Sequence, residues 1–165
     1  MEHLWSPWRM VYLRRDPAEA EREGCIFCEK PSENRDAENK IVYRGQKAFV
    51  ILNIYPYNNG HLMIVPYQHV PSLEQLDTPT LTELMVLTNR SLAALRTAYQ
   101  PHAFNIGLNI GAAGGAGIVA HVHLHVVPRW AGDTNFISSI SSTRVIPEDL
   151  AETYQRLRLA WPQDE

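Results

Sequence analysis

Histidines stand at every second position in His121-Val122-His123-Leu124-His125, and Val126, Val127 and Pro128 follow. In an extended strand successive side chains alternate sides, so this pattern puts three imidazoles on one face and aliphatic side chains on the other. At a rise of about 3.3 Å per residue the rings repeat every ~6.6 Å, a span suited to contacts along a phosphate chain or to a shared metal. Just upstream, Gly111-Ala112-Ala113-Gly114-Gly115-Ala116-Gly117 offers a main chain with almost no side chains, able to turn N–H groups toward an anion. An uncharged imidazole is nucleophilic near neutral pH, where Ser and Lys hold their protons. Together the two features point to attack on phosphorus. One buried histidine is ordinarily a satisfied core residue, but three on one face would leave several ring nitrogens in need of partners. A glycine-rich loop taken alone says far less.

With Asn53, Gly60-His61, His69 and Asn109-x-Gly111, the strand completes a pattern that resembles the histidine triad (HIT) family over residues 25–130. Leu4-Trp5-Ser6-Pro7-Trp8-Arg9 and Val127-Pro128-Arg129-Trp130-x-Gly132-Asp133-Thr134-Asn135-Phe136 look like a bacterial branch of it that includes diadenosine tetraphosphate (Ap4A) phosphorylases. The resemblance implies a nucleotidyl-transferring enzyme acting on an adenine dinucleoside polyphosphate. His123 would be the nucleophile and carry an AMP-bound intermediate, His125 would contact the phosphate and help protonate the leaving oxygen, and His61 would support His125. Asn53 falls where the family touches the nucleoside ribose. N–H groups of Gly115, Ala116, Gly117 and Ile118, with the Asn109 amide, are the expected donors to charge building on the phosphate. Many members carry Gln followed by Ser or Thr where this chain has Gly117 and Ile118, so the main chain must do more here. Arg129 could hold an anionic end of the substrate, or be a solvated surface residue. Phosphate as second nucleophile makes a phosphorylase and water a hydrolase; the branch resemblance favours phosphorolysis. A nucleoside phosphoramidase and a nucleotide-binding sensor without turnover are the alternatives. The family resemblance also implies a homodimer, with a tetramer as the other assembly.

The two cysteines, Cys25 and Cys28, lie in Gly24-Cys25-Ile26-Phe27-Cys28. A lasting disulfide is not expected in a reducing cytosol, which leaves metal binding, redox exchange or free buried thiols. A thioredoxin-like pair wants the strand-to-helix junction of a βαβ unit, and that pattern is missing. Two thiols can share one tetrahedral metal, but a closed site needs four ligands. In zinc-bearing HIT proteins and the related galactose-1-phosphate uridylyltransferases, the other two are the histidine eight residues after the Gly-His and the first histidine of the triad, here His69 and His121. The resemblance thus implies a structural zinc on Cys25, Cys28, His69 and His121, with no catalytic metal required by the protein itself.

These groups need a scaffold. Ile41-Val42-Tyr43-Arg44, a Gly45-Gln46 turn and Lys47 to Asn53 read as a β-hairpin whose second strand is apolar on both faces and so central. Ile54 to Gly60 is a connection, and His61 to Val65 the next strand, with His61, Met63 and Val65 on one side. Between Asp77 and Gln100, Leu81, Leu84, Met85, Thr88, Leu92, Leu95 and Tyr99 form one helical stripe; Thr80 with Glu83 fits a capping box, and Thr78 before Pro79 is another start. Ala103 to Ile110 alternates with period two. Asp16 to Gly24 reads as a short helix and Lys30 to Lys40 as a loop. Arg144-Val145-Ile146 reads as a further strand, and Pro147 opens a C-terminal helix with Leu150, Tyr154, Leu157 and Trp161 on one face. Trp5 and Trp8 are expected to pack on the domain or on a second subunit. The expected fold is α+β: an antiparallel sheet of about five strands, a long helix on one face and a C-terminal helix, in one HIT-like domain over 1–165. Its parts are a 1–24 extension, core motifs over 25–130 and a 131–165 strand and helix.

The chain has 165 residues, 45% hydrophobic and 20% charged, which are ordinary globular values. A formal net charge of −3 without clustered Lys or Arg argues against a nucleic-acid polymer as partner, so an anion must be held by a local site. No apolar run is long enough for a membrane span, and Pro7, Arg9 and Arg14 break any secretory segment, so the cytoplasm is the expected compartment.

Overall fold

The computed structural model describes residues 24–133 and 148–163. Trp5, Trp8, the helix expected from Asp16, the Thr134 to Phe136 end of the tail motif and the strand expected at Arg144 to Ile146 lie outside the described residues.

Ile41–Arg44 (β1) and Ala48–Leu52 (β2) form the hairpin, with Arg44 opposite Phe49. Every side chain of β2 is buried, as a strand covered on both faces requires. Leu62–Pro66 (β3) runs antiparallel to β2, and Ala103–Leu108 (β4) and Leu124–Arg129 (β5) complete a five-stranded antiparallel sheet in the order β1-β2-β3-β5-β4. His125 of β5 sits between Met63 of β3 and Gly107 of β4. The ladder begins at Leu124, so His121 and His123 precede the paired strand. The reason is that the chain there bonds elsewhere: Val122 N–H donates to the Val70 carbonyl, 2.8 Å away.

The sheet has two apolar faces. Val50, Leu52, Ile64, Val122, Leu124 and Val126 meet Leu84, Leu87 and Leu95 of the long helix, Thr78–Tyr99, and Leu157 of the C-terminal helix, Leu150–Ala160. Phe49, Ile51, Met63 and Val65 pack with Phe27 on the opposite face. Each such side chain, fully removed from water, contributes about 1.5–3 kcal/mol, so the strands that carry the histidines are held from both sides.

Three expectations are corrected. Residues 30–40 are not a plain loop: Ile26–Ser32 (α1) and Asp36–Asn39 (α2) are helical. Neither is long enough to show a hydrophobic period, and α1 is held by burying Phe27 and Pro31. The long helix, α3 over Thr78–Tyr99, is capped by Asp77, which accepts from Thr80 N–H at 2.8 Å, with Pro79 in the first turn. Glu83 makes no capping box: its carboxylate accepts from Gln46 N–H at 2.7 Å and Lys47 N–H at 2.6 Å, tying α3 to the hairpin turn. The buried stripe of α3 is also rotated. Ser91 and Ala94 are inside and Met85 is 52% exposed. Small residues let the helix lie close on the sheet, and Thr88 and Ser91 satisfy their hydroxyls on the Leu84 and Leu87 carbonyls, both at 2.7 Å.

The C-terminal helix, α4 over Leu150–Ala160, is capped by Asp149 and buries Tyr154, Leu157 and Trp161 with the core, as its sequence pattern predicts. Among the described residues no helix is long and apolar enough to cross a membrane.

Candidate active site and metal centre

Gly60 places the first histidine. Its φ is +72°, a conformation that disfavours side chains, and a Cβ there would lie 2.8 Å from Leu95 Cδ2. The wholly buried His61 follows. Its Nδ1 accepts the Tyr57 N–H at 3.0 Å and lies 3.4 Å from Asn53 Nδ2. With donors on Nδ1, the proton of the neutral ring belongs on Nε2, which donates to His125 Nδ1 at 3.0 Å. Burial first, then His125 and His123 nearby, pull His61 down to about 3, so it stays uncharged near neutral pH. Since His125 Nδ1 accepts that bond, the proton of its neutral ring belongs on Nε2.

His123 is oriented differently. Its Nδ1 donates to the main-chain oxygen of His121 at 2.9 Å, which makes Nε2 the nitrogen with a lone pair. The ring lies against Phe27, centroids 5.0 Å apart, and edge-on to His125 at 4.9 Å. It is 5% exposed, and burial holds its pKa below the ordinary histidine value. An uncharged imidazole with one nitrogen fixed and the other bare is what nucleophilic attack requires.

The ring of His121 turns the other way. Nε2 donates to the Pro66 carbonyl at 2.8 Å, leaving Nδ1 for the cysteines: 3.3 Å from Cys25 Sγ and 3.7 Å from Cys28 Sγ. His69 Nδ1 is 3.4 Å from Cys28 Sγ, and the four ligand atoms all lie within 4.8 Å of one another. A tetrahedron with Zn–S near 2.3 Å and Zn–N near 2.0 Å has S···N edges of about 3.5 Å, so the donor set fits the metal in kind, number and spacing. A ring N–H held by a carbonyl is also the usual support behind a metal-bound histidine. Some burial, then Cys25 alongside, push the Cys28 thiol up to about 11.

The glycine loop makes a short 3-10 turn at Ala112–Gly114, entered at Gly111 with φ +75°. Gly115 N–H donates to the Ala112 carbonyl and Ala116 N–H to the Gly111 carbonyl, so both are engaged within the loop. Among the described residues Gly117 and Ile118 N–H have no such partner, and Ile118 packs against the Phe27 cluster on the face that bears the histidines. The half-buried Asn109 side chain likewise has no hydrogen bond among the described residues. Arg129 is engaged: Nε and Nη2 grip the Asp133 carboxylate at 2.6 and 2.8 Å, and Nη1 donates to Asn105. It does not point a free cation at a substrate. A cavity of about 160 Å³ lies apart from the glycine loop, between the 52–61 segment and the start of α4, with Asn53, Pro56, His61 and Thr153 among its lining residues.

Sequence reasoning found the histidines and cysteines and missed Tyr57, whose main chain begins the hydrogen-bond chain to His125. The only signal was the density of turn formers just before His61, which says that N–H groups turn there but not which one.

Residues 34–132 match the HIT domain. The chain belongs to the HIT family. An AP-4-A phosphorylase of Mycobacterium tuberculosis is 42% identical over 98% of this chain and 85% of its own length. The asymmetrical bis(5'-nucleosyl)-tetraphosphatase of Schizosaccharomyces pombe is 30% identical over 58% of this chain and 52% of its own. Among solved structures, a zinc-bound histidine triad family protein from Mycobacterium smegmatis matches with a TM-score of 0.68 at 32% identity, covering 83% of this chain and 92% of that one. A hypothetical histidine triad nucleotide-binding protein from Sulfolobus tokodaii gives 0.66 at 28%, covering 82% and 91%. The α+β reading of the sequence and the five-stranded HIT fold therefore agree, and the chain is an enzyme of the HIT type.

Proposed function

We propose that the protein cleaves Ap4A by phosphorolysis through an adenylyl group carried on His123. The observation that carries the reading is the hydrogen bond from His123 Nδ1 to the His121 carbonyl, which leaves Nε2 bare beside His125. The Nε2 lone pair forms a bond to the α-phosphorus. The P–O bond to the rest of the chain breaks with its electron pair on the leaving oxygen, to which His125 donates a hydrogen bond from Nε2. A terminal phosphate is a stable anion, so a neutral donor suffices there. Inorganic phosphate then attacks the same phosphorus, the P–N bond returns its pair to His123, and ATP and ADP are the products. N–H groups of Gly117 and Ile118 and the Asn109 amide serve the charge on the α-phosphate.

The extent of the likeness to the M. tuberculosis AP-4-A phosphorylase supports phosphate over water; the S. pombe tetraphosphatase, similar over a shorter stretch, keeps hydrolysis as the second reading. Cys25, Cys28, His69 and His121 would hold zinc. The ion supplies a tetrahedral cross-link there, joining α1 to the residues before β5. We further take the protein to be cytoplasmic and a homodimer, the exposed edge of the sheet at β4, where Ile106 is 46% exposed, supporting the homodimer. Incubation with Ap4A, with and without phosphate, tests the function. ATP plus ADP formed only with phosphate supports it; ATP plus AMP without phosphate favours the hydrolase; binding without products overturns both.

A further inference from the structure

We propose that Tyr57 is a positioning residue for His125, its ring holding the His61–His125 pair so that the second nitrogen of His125 faces the leaving group. This rests on the role given above to His125. The Tyr57 ring centroid lies 4.6 Å from that of His61 and 5.8 Å from that of His125, stacked on the latter at 28°. The main chain of the same residue supplies the N–H that fixes His61 Nδ1. One residue thus touches both rings and starts the hydrogen-bond chain between them.

The physical need is specific. An imidazole turns about its outer side-chain bond in a broad, nearly two-fold well, so nothing intrinsic keeps nitrogen rather than carbon at a given place. If either ring turned over, a carbon would replace a nitrogen across the 3.0 Å His61–His125 contact, and His125 would lose the partner that settles its tautomer. Two flat surfaces oppose this for His125: Tyr57 stacked on it and His123 edge-on at 4.9 Å. Both contacts with the histidines are made by the ring, which phenylalanine keeps and leucine loses, so phenylalanine should replace tyrosine and leucine should not.

The test compares Tyr57→Phe, Tyr57→Leu and Tyr57→Ala in the full chain. In ligand-free protein labelled with nitrogen-15 in its histidines, the protected N–H of His61 Nε2 should persist in wild type and Tyr57→Phe and vanish in the other two. With Ap4A and phosphate, Tyr57→Leu and Tyr57→Ala should lose roughly tenfold or more in kcat with KM little changed, as expected when a reacting group drifts from its place. Tyr57→Phe should restore both. The proposal is overturned if Tyr57→Leu keeps the signal and kcat, if Tyr57→Phe loses as much as Tyr57→Leu, or if KM rises at constant kcat, which would put the ring on the substrate. Should Tyr57→Ala fail to fold, the Phe and Leu variants decide. If His123→Ala leaves turnover intact, the phosphorolysis reading fails on its own, and the N–H signal still decides the role of Tyr57.

Discussion

His123 donates from Nδ1 to the main-chain oxygen of His121, 2.9 Å away, while the ring of His121 faces two cysteines. Two consecutive members of the histidine row therefore serve different ends, one joined to the other through backbone. Replacing His123 with alanine should lower kcat by about a thousandfold or more, since nothing else supplies the nucleophile. Rapid quenching of wild type with Ap4A in the absence of phosphate should show protein carrying one adenylyl group, and none in the variant.

The metal cluster should govern stability before it governs chemistry. A ligand that binds only the folded state at a thousand times its dissociation constant stabilises by about 4 kcal/mol. His69→Ala and Cys28→Ser should purify with little zinc by elemental analysis and unfold at lower temperature. Some turnover should survive in both, because the carbonyl that orients His123 is main chain and remains. A variant with full zinc content would show that these side chains do not hold the ion.

Acid should loosen the fold through His61. Its pKa is lowered in the folded state to about 3, so the unfolded chain binds the proton first. The contribution is complete above the unfolded value near 6.5 and is lost as pH falls from there toward 3. At pH 5 the loss is up to about 2 kcal/mol, from ~1.4 kcal/mol per unit. Because carboxylates titrate over the same range, the quantity to compare is the urea midpoint at pH 7 and pH 5 for wild type against His61→Asn. A flatter profile for the variant is the expected result.

Gly60→Ala should be costly for a single methyl. It strains a left-handed residue and drives a carbon to 2.8 Å from Leu95 Cδ2. Strain of this kind costs on the order of 1–3 kcal/mol, and the shift reaches His61, next in the chain. Thermal unfolding and kcat should fall together, whereas Glu83→Ala, which frees the hairpin turn far from the histidines, should lower stability alone.

What the sequence revealed depended on range. Alternation at His121, His123 and His125 is a local pattern; the rings of His123 and His125 meet at 4.9 Å and those of His121 and His123 both meet Phe27, although His121 turns its Nδ1 to the cysteines and the ladder starts only at Leu124. Cys25 and Cys28 read as half of a metal site from their spacing, and His69 and His121 joined them through family resemblance; the structure brings all four together. Glu83 misled because a capping box and a contact to a distant turn look alike along the chain. Helix α1 went unread because it is held by burying Phe27 and Pro31, and α2 because it is a four-residue turn with no buried side chain, tied by Asp36 to Arg44 at 2.7 Å. The N–H groups of Gly115 and Ala116 illustrate a finer limit: composition shows that a loop can offer donors but not which of them it uses internally.

The clamp of Asp133 on Arg129 leaves that guanidinium neutralised, and the residues proposed to meet the phosphates are amides, main chain and uncharged rings. A polyphosphate held this way gains little from long-range attraction and loses little to dissolved ions. Its affinity should therefore vary only weakly with ionic strength, and the products, as highly charged as the substrate, should leave without having to break an ion pair.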